Sequence, residues 1–220
     1  MKYYISIILF IALNSIVLAQ DKKFHFGASV QQSIAYISSE DFEGVENRTS
    51  KTVGGLTFEY FLKEKLSLGA ELFYSPNGFS FDRNYQSSQC VNYQFRYNYL
   101  SVPLKIRYNL INMFEKRGHI FIKTGIAPSY LLRAKVKTTV YSENNEIIDK
   151  NEVIFNDNIT KFDFAGLGEI GLSTKTSEKF VIYLSVMHKR SFNSFSTDEF
   201  FPDNQLKHNS FHIIWGLNFL

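Results

Sequence analysis

The chain has 220 residues and a mass of 25.5 kDa, the size of one domain or two. With 45% hydrophobic and 20% charged residues it is not a disordered chain. A mean hydropathy of −0.15 is too polar for a bundle of membrane helices, one Cys rules out a disulfide scaffold or a Cys-rich zinc site, and a net charge of +3 without a basic cluster argues against nucleic acid.

The first element is an export signal. Met1-Lys2 precedes an apolar run from Ile5 to Leu18, interrupted only by Asn14 and Ser15. A membrane helix needs about 20 apolar residues, so the run is too short to span comfortably. It ends Val17-Leu18-Ala19, with small or β-branched residues where a signal peptidase reads them. Residues 1–19 are therefore expected to be a signal peptide cleaved after Ala19, leaving one domain over 20–220. No Cys follows the run, which excludes a lipoprotein anchor; Cys90 is read as a plain loop residue.

From Phe24 onward apolar residues alternate with small or polar ones, the period of a strand. The runs are residues 24–36, 55–62, 66–75, 99–110, 120–132, 162–173, 182–189 and 210–219. The connections alternate too. Short turns lie near Glu64, at 111–118 and at 175–179; long polar loops lie at 38–50, 80–93, 137–160 and 193–206. Short turns on one side and long loops on the other predict an all-β, eight-stranded antiparallel up-and-down transmembrane β-barrel in a bacterial outer membrane, with both termini in the periplasm. Within a bilayer the sheet must close, because its unpaired edges cannot be hydrated.

The rival is a soluble lipocalin-like ligand-binding barrel, whose apolar face points inward. The polar parity discriminates between the two. It carries Gly, Ser and Ala with isolated charges, which suits a cramped interior better than a solvated surface. Along the apolar parity, Tyr36, Tyr74 and Tyr130 fall toward the loop side and Phe24, Tyr108 and Phe219 toward the turn side, as two aromatic girdles would. On the inward parity Glu59, Glu71, Glu169, Lys105, Arg107 and Lys123 fall at a similar height above the turns. Buried charge must be paired, so these six are expected to form an ion-pair layer in the lumen, with a looser upper group of Asp163, Lys189 and Arg133. Eight strands leave an interior just wide enough for side chains, so a side-chain-plugged lumen is expected rather than a porin channel. Pro103 and Pro128 cannot donate to a ladder and predict a bulge or a missing bond where they fall level.

Tyr99-Leu-Ser-Val-Pro-Leu-Lys-Ile-Arg-Tyr108 resembles the YLxIPLxLKY strand of the PorT-like outer-membrane β-barrel family. Residues 123–132 follow where that family has a Gly-containing strand, and the glycine-rich 162–172 resembles its next one. The resemblance covers the mature chain in order and implies Pro103 as a family feature. The chain departs from the pattern at its end, where Leu220 follows the terminal aromatic Phe219. The family is mostly of unassigned function; its namesake is associated with a protein-secretion and gliding apparatus, for which no motif here speaks.

Catalytic patterns are thin. His208-Asn-Ser210 resembles the His-x-Ser pair of barrel lipid A deacylases, but no acid follows Ser210 to orient the His, which weighs against a lipid-modifying enzyme. His25, His119, His188 and His212 have no carboxylate or Cys at ligand spacing, so no metal or cofactor is expected. Glu40, Asp41, Glu43 and Glu46 read as a solvated acidic loop rather than a calcium site, and the sequons at Asn47 and Asn158 as chance matches. The chain is thus expected to be a non-enzymatic, monomeric envelope protein with a structural, adhesive or secretion-related role. Its expected neighbours are outer-membrane lipid and lipopolysaccharide, with an envelope protein partner at the long loops, of which 137–160 is the longest.

Overall fold

The computed structural model describes residues 23–38, 47–84, 90–113, 117–142, 144, 146–156, 159–195 and 206–220. The expected signal peptide, the acidic residues 40–46, the Asn158 sequon and the Asn47 side chain lie outside this description. Ten strands are formed: β1 (Phe24–Ser38), β2 (Asn47–Lys63), β3 (Leu66–Asn84), β4 (Cys90–Ser101), β5 (Leu104–Met113), β6 (Gly118–Tyr141), β7 (Ile147–Ile154), β8 (Phe162–Lys175), β9 (Phe180–Ser191) and β10 (Lys207–Phe219).

All pairings are antiparallel, and β1 pairs with β10, so the sheet closes. The ring has eight positions because β4 and β5 share one: β4 follows the upper part of β3 and β6, β5 the lower part. The break between them is Val102-Pro103. Pro103 has no N–H to give; its carbonyl still accepts from the Glu71 N–H and Val102 N–H donates to the Pro128 carbonyl, so the ring stays laced across the gap. Pro128 itself remains inside β6, opposite Phe164.

Strands run further into the loop side than the alternation suggested. Much of 80–93 is β3 and β4, and the 137–160 loop contains the top of β6 and all of β7, which pairs with β6 alone among the described strands. The polar composition of these stretches hid the strands, and β7 is exposed on both faces. Cys90 accordingly begins β4, half-buried, rather than lying in a loop.

The sheet is inside out relative to a soluble barrel. Leu104, Ile122, Leu184 and Ile213 are 47%, 40%, 45% and 42% exposed, whereas Ser29, Gln31, Thr57, Glu71, Lys105 and Ser185 are buried. That arrangement rules out the lipocalin-like alternative, which needs the aliphatic row in the centre. One polar trio sits on the lipid-facing parity. Gln32 donates to Ser50 Oγ (2.6 Å) and accepts from Thr52 Oγ1 (2.6 Å), so it brings its own partners.

One expectation fails by parity. Asn98 pairs with Arg133 but Tyr99 with Leu131, a one-residue bulge in β6. Such an extra residue turns the following side chains to the opposite face. Arg133 is therefore exposed on the outside and does not join Asp163 and Lys189, which are buried in the lumen.

Candidate functional site in the barrel lumen

The lower lumen holds a lattice of charges drawn from five strands. Glu59 comes from β2, Glu71 from β3, Lys105 and Arg107 from β5, Lys123 from β6 and Glu169 from β8. Each projects inward because it shares parity with the Gly and Ser of its strand, and all six are buried. Lys105 Nζ donates to Glu71 Oε1 and Glu169 Oε2, both at 2.7 Å. Lys123 Nζ lies 3.6 Å from Glu169 Oε1, and Arg107 3.3 Å from Glu59 Oε2. All six residues thus meet in two neighbouring groups. Hydroxyls and amides satisfy most of the remaining valences, while Glu71 Oε2 is buried without a partner. Ser67 donates to Glu59 (2.6 Å), Ser185 to Glu169 (2.8 Å), and Arg107 to Asn109 (2.9 Å) and Ser173 (2.7 Å).

Aromatic rings complete the layer. The Arg107 guanidinium lies 4.2 Å from the Phe121 ring centre and Lys123 Nζ 4.9 Å from that of Tyr183, within cation–π range. Both rings lean over glycines. A Cβ on Gly171 would come within 2.6 Å of Phe121, and one on Gly216 within 2.1 Å of Tyr183. The space left between Glu59, Glu71, Lys105, Arg107, Lys123 and Tyr183 is about 10 Å³, and a wider recess of about 180 Å³ opens below it toward the turns, lined in part by His25, Arg117 and His119.

Above the lattice Lys189 donates to Ser75 Oγ (3.4 Å) and Asp163 accepts from Ser191 (3.0 Å). Higher still the lumen is apolar. Phe79, Phe95, Tyr97 and Tyr99, from β3 and β4, meet Phe155, Ile159, Phe195 and Leu206, which descend from the connections on either side. His208 lies among them, with its ring 4.0 Å from that of Phe195 and 5.2 Å from that of Tyr97. This cluster is not among the groups expected from the sequence, although the inward alternation Tyr93, Phe95, Tyr97, Tyr99 is its visible trace.

The girdle residues lie on the outward parity. Tyr74, Tyr108, Tyr130 and Phe219 are exposed and Phe24 and Tyr36 half-exposed. Several pair with a ring on the next strand: Tyr130 with Phe162 at 5.1 Å, Phe219 with Phe26 at 5.1 Å, Tyr36 with Phe211 at 6.3 Å and Phe24 with Tyr60 at 6.2 Å. The His208–Ser210 pair, against which the sequence already weighed, is not made. Ser210 instead bonds His212 Nε2 at 2.8 Å, inside the lumen, and no carboxylate orients that imidazole. Among the described residues no cluster of three or more His, Cys, Asp or Glu could hold a metal ion.

Known proteins place this architecture. The crystal structure of Neisserial surface protein A (NspA) superposes with a TM-score of 0.51 at 9% identity, covering 89% of this chain and 96% of that one. The outer membrane protein OprG from Pseudomonas aeruginosa superposes with a TM-score of 0.50 at 12% identity, covering 90% and 95%. At these identities the likeness is one of fold. No curated protein matches in sequence. Residues 18–196, most of the chain, match the family described as outer membrane protein beta-barrel domain. The chain therefore belongs to that family and is a small β-barrel of a bacterial outer membrane.

Proposed function

We propose that the protein is a non-enzymatic interaction protein of the cell envelope, with a lumen plugged by its own side chains and the loop side as its working face. The filling of the lumen carries this reading. A lattice with about 10 Å³ to spare lies beneath a cluster of eight or more apolar side chains, an arrangement that supports a lumen closed to hydrated solutes. The finer parts of the reading are a PorT-like subfamily, a signal peptide removed after Ala19, girdles held at the two headgroup levels, lipopolysaccharide around the outer leaflet and a single copy per barrel within its own membrane. Adhesion or service to a secretion assembly both fit a closed barrel that presents long hairpins.

The test is electrical. The purified full chain, reconstituted in a planar bilayer, is expected to add no discrete conductance steps. Regular, sustained steps would overturn the plugged-barrel reading and favour a channel.

A further inference from the structure

The loop side carries an open strand edge. β7 hydrogen-bonds to β6 only, among the described strands, and all eight of its residues are exposed, Ile147, Ile148, Val153 and Ile154 included. It lies opposite β6 residues 135–141, five or more residues beyond Tyr130. Its sequence is Ile147-Ile-Asp-Lys-Asn-Glu-Val-Ile154. An edge of this length and apolarity is a template for another strand.

Parity decides which backbone groups are on offer. Phe155 N–H donates to the Ala134 carbonyl of β6 (3.2 Å), so the odd-numbered residues at this end of β7 turn their backbone groups to β6. The N–H and C=O of Lys150, Glu152 and Ile154 then face outward. A second β7 laid antiparallel about Asn151 puts Lys150 opposite Glu152 of the other copy, twice, within the regular stretch 149–154 and short of the bulge at Ile148. Those are even-numbered residues facing even-numbered ones, the register in which the free groups can bond. Over that stretch the strand is complementary to itself in charge and hydrogen bonding at the same offset.

The symmetry of that pairing fixes where the second copy stands. A two-fold relating antiparallel strands is perpendicular to them. β7 runs beside the top of β6, which rises from a tilted barrel strand, so the axis cannot be the membrane normal. Two barrels upright in one membrane would present these strands crossed at twice their tilt, not antiparallel. We infer that β7 is a homotypic docking edge for a copy of this chain in an apposed membrane, joining two surfaces through a continuous sheet. The inference deepens the interaction role proposed above and rests on it.

The test uses the full chain in phospholipid vesicles, with heat-modifiable electrophoretic mobility as the control for folding and light scattering as the readout. Vesicles bearing the wild-type chain are expected to cluster. Lys150→Glu and Glu152→Lys each set like charges opposite one another twice, so each alone should lose clustering; because Glu152 also binds Lys135 within the chain, amide exchange over residues 135–154 checks that the hairpin is kept in the second variant. Mixed together, vesicles of the two variants regain both attractions and should cluster again. Folded wild-type vesicles that stay dispersed, single variants that cluster undiminished, or a mixture that stays dispersed would each overturn the inference. So would crosslinking confined to copies within one bilayer. A different protein bound by wild-type cells whose vesicles do not cluster would overturn self-docking and leave the interaction role standing; the absence of any partner would count against both.

Discussion

Phe195 lies flat on His208, with ring centres 4.0 Å apart and planes within 9°. Phe195 comes from the connection after β9 and His208 from the start of β10, so a loop side chain covers a lumen imidazole. Phe195→Ala should uncover it, at a cost of about 3–5 kcal/mol for truncating a buried Phe. Diethylpyrocarbonate labelling read by peptide mass spectrometry should show His208 modified several-fold faster in the variant. Equal labelling in both proteins would mean that Phe195 does not cover the ring.

Glu169 joins two cations, so its loss should be felt more than that of any other lattice carboxylate. Glu169→Gln leaves Lys123 with no carboxylate within 4.0 Å and Lys105 with Glu71 alone, among the described residues. Breaking a buried pair while its partner stays charged costs about 3–5 kcal/mol. Glu169→Gln should lower the urea midpoint of the reconstituted barrel accordingly. Replacing Glu59 and Arg107 together, as Glu59→Gln with Arg107→Met, removes both charges and should cost less than Glu59→Gln alone.

Much of this was legible in the sequence, for physical reasons that differ by element. Where strands cross the membrane, one face meets lipid and the other a packed lumen, and alternation such as Leu104, Ile106, Tyr108 against Lys105, Arg107, Asn109 is strict. The six lattice charges could be gathered because height along a strand is a residue count. Above the membrane that constraint ends. β7 faces water on both sides, so Ile147-Ile148 and Val153-Ile154 break the alternation and the strand reads as loop. Arg133 was misplaced for a subtler reason: a one-residue bulge in β6 leaves no mark in composition and reverses every inward assignment after it. Phe155 and Phe195 reach the lumen from connections, which no periodicity marks.

Glycines beneath rings give a third prediction. A Cβ at Gly216 would lie 2.1 Å from the Tyr183 ring, too close for either to stay. Gly216→Ala should push Tyr183 off Lys123 and destabilise the barrel by about 1–3 kcal/mol, the range for overpacking. Chemical denaturation checks the magnitude; an unchanged midpoint would show that Tyr183 moves freely.

The β6–β7 hairpin should loosen in acid. Lys135 Nζ donates to both carboxylate oxygens of Glu152, at 2.9 and 2.8 Å, and this hydrogen bonding, ahead of the charge itself, holds Glu152 below the ordinary carboxylate range. Above that range Glu152 is ionised whether or not the hairpin is formed, and the clasp contributes fully. As pH falls the open form takes up its proton first, so the contribution shrinks and vanishes below the depressed value of the closed form. Amide exchange over residues 135–154, corrected for intrinsic rate, should rise as pH falls through the carboxylate range, and Glu152→Gln should flatten that dependence. An identical pH profile in the variant would remove Glu152 as the cause.

Among the described residues, four acids and four bases are enclosed by the cylinder: Glu59, Glu71, Asp163 and Glu169 against Lys105, Arg107, Lys123 and Lys189. Their charges cancel, so a voltage across the membrane, which acts on a single elementary charge with about 2.3 kcal/mol per 100 mV, exerts no net pull on the enclosed set. Only the separation between positive and negative members could couple to the field, and the short bridges of the lower group keep that separation small. Taken together, the enclosed charges give the field across the membrane no net handle.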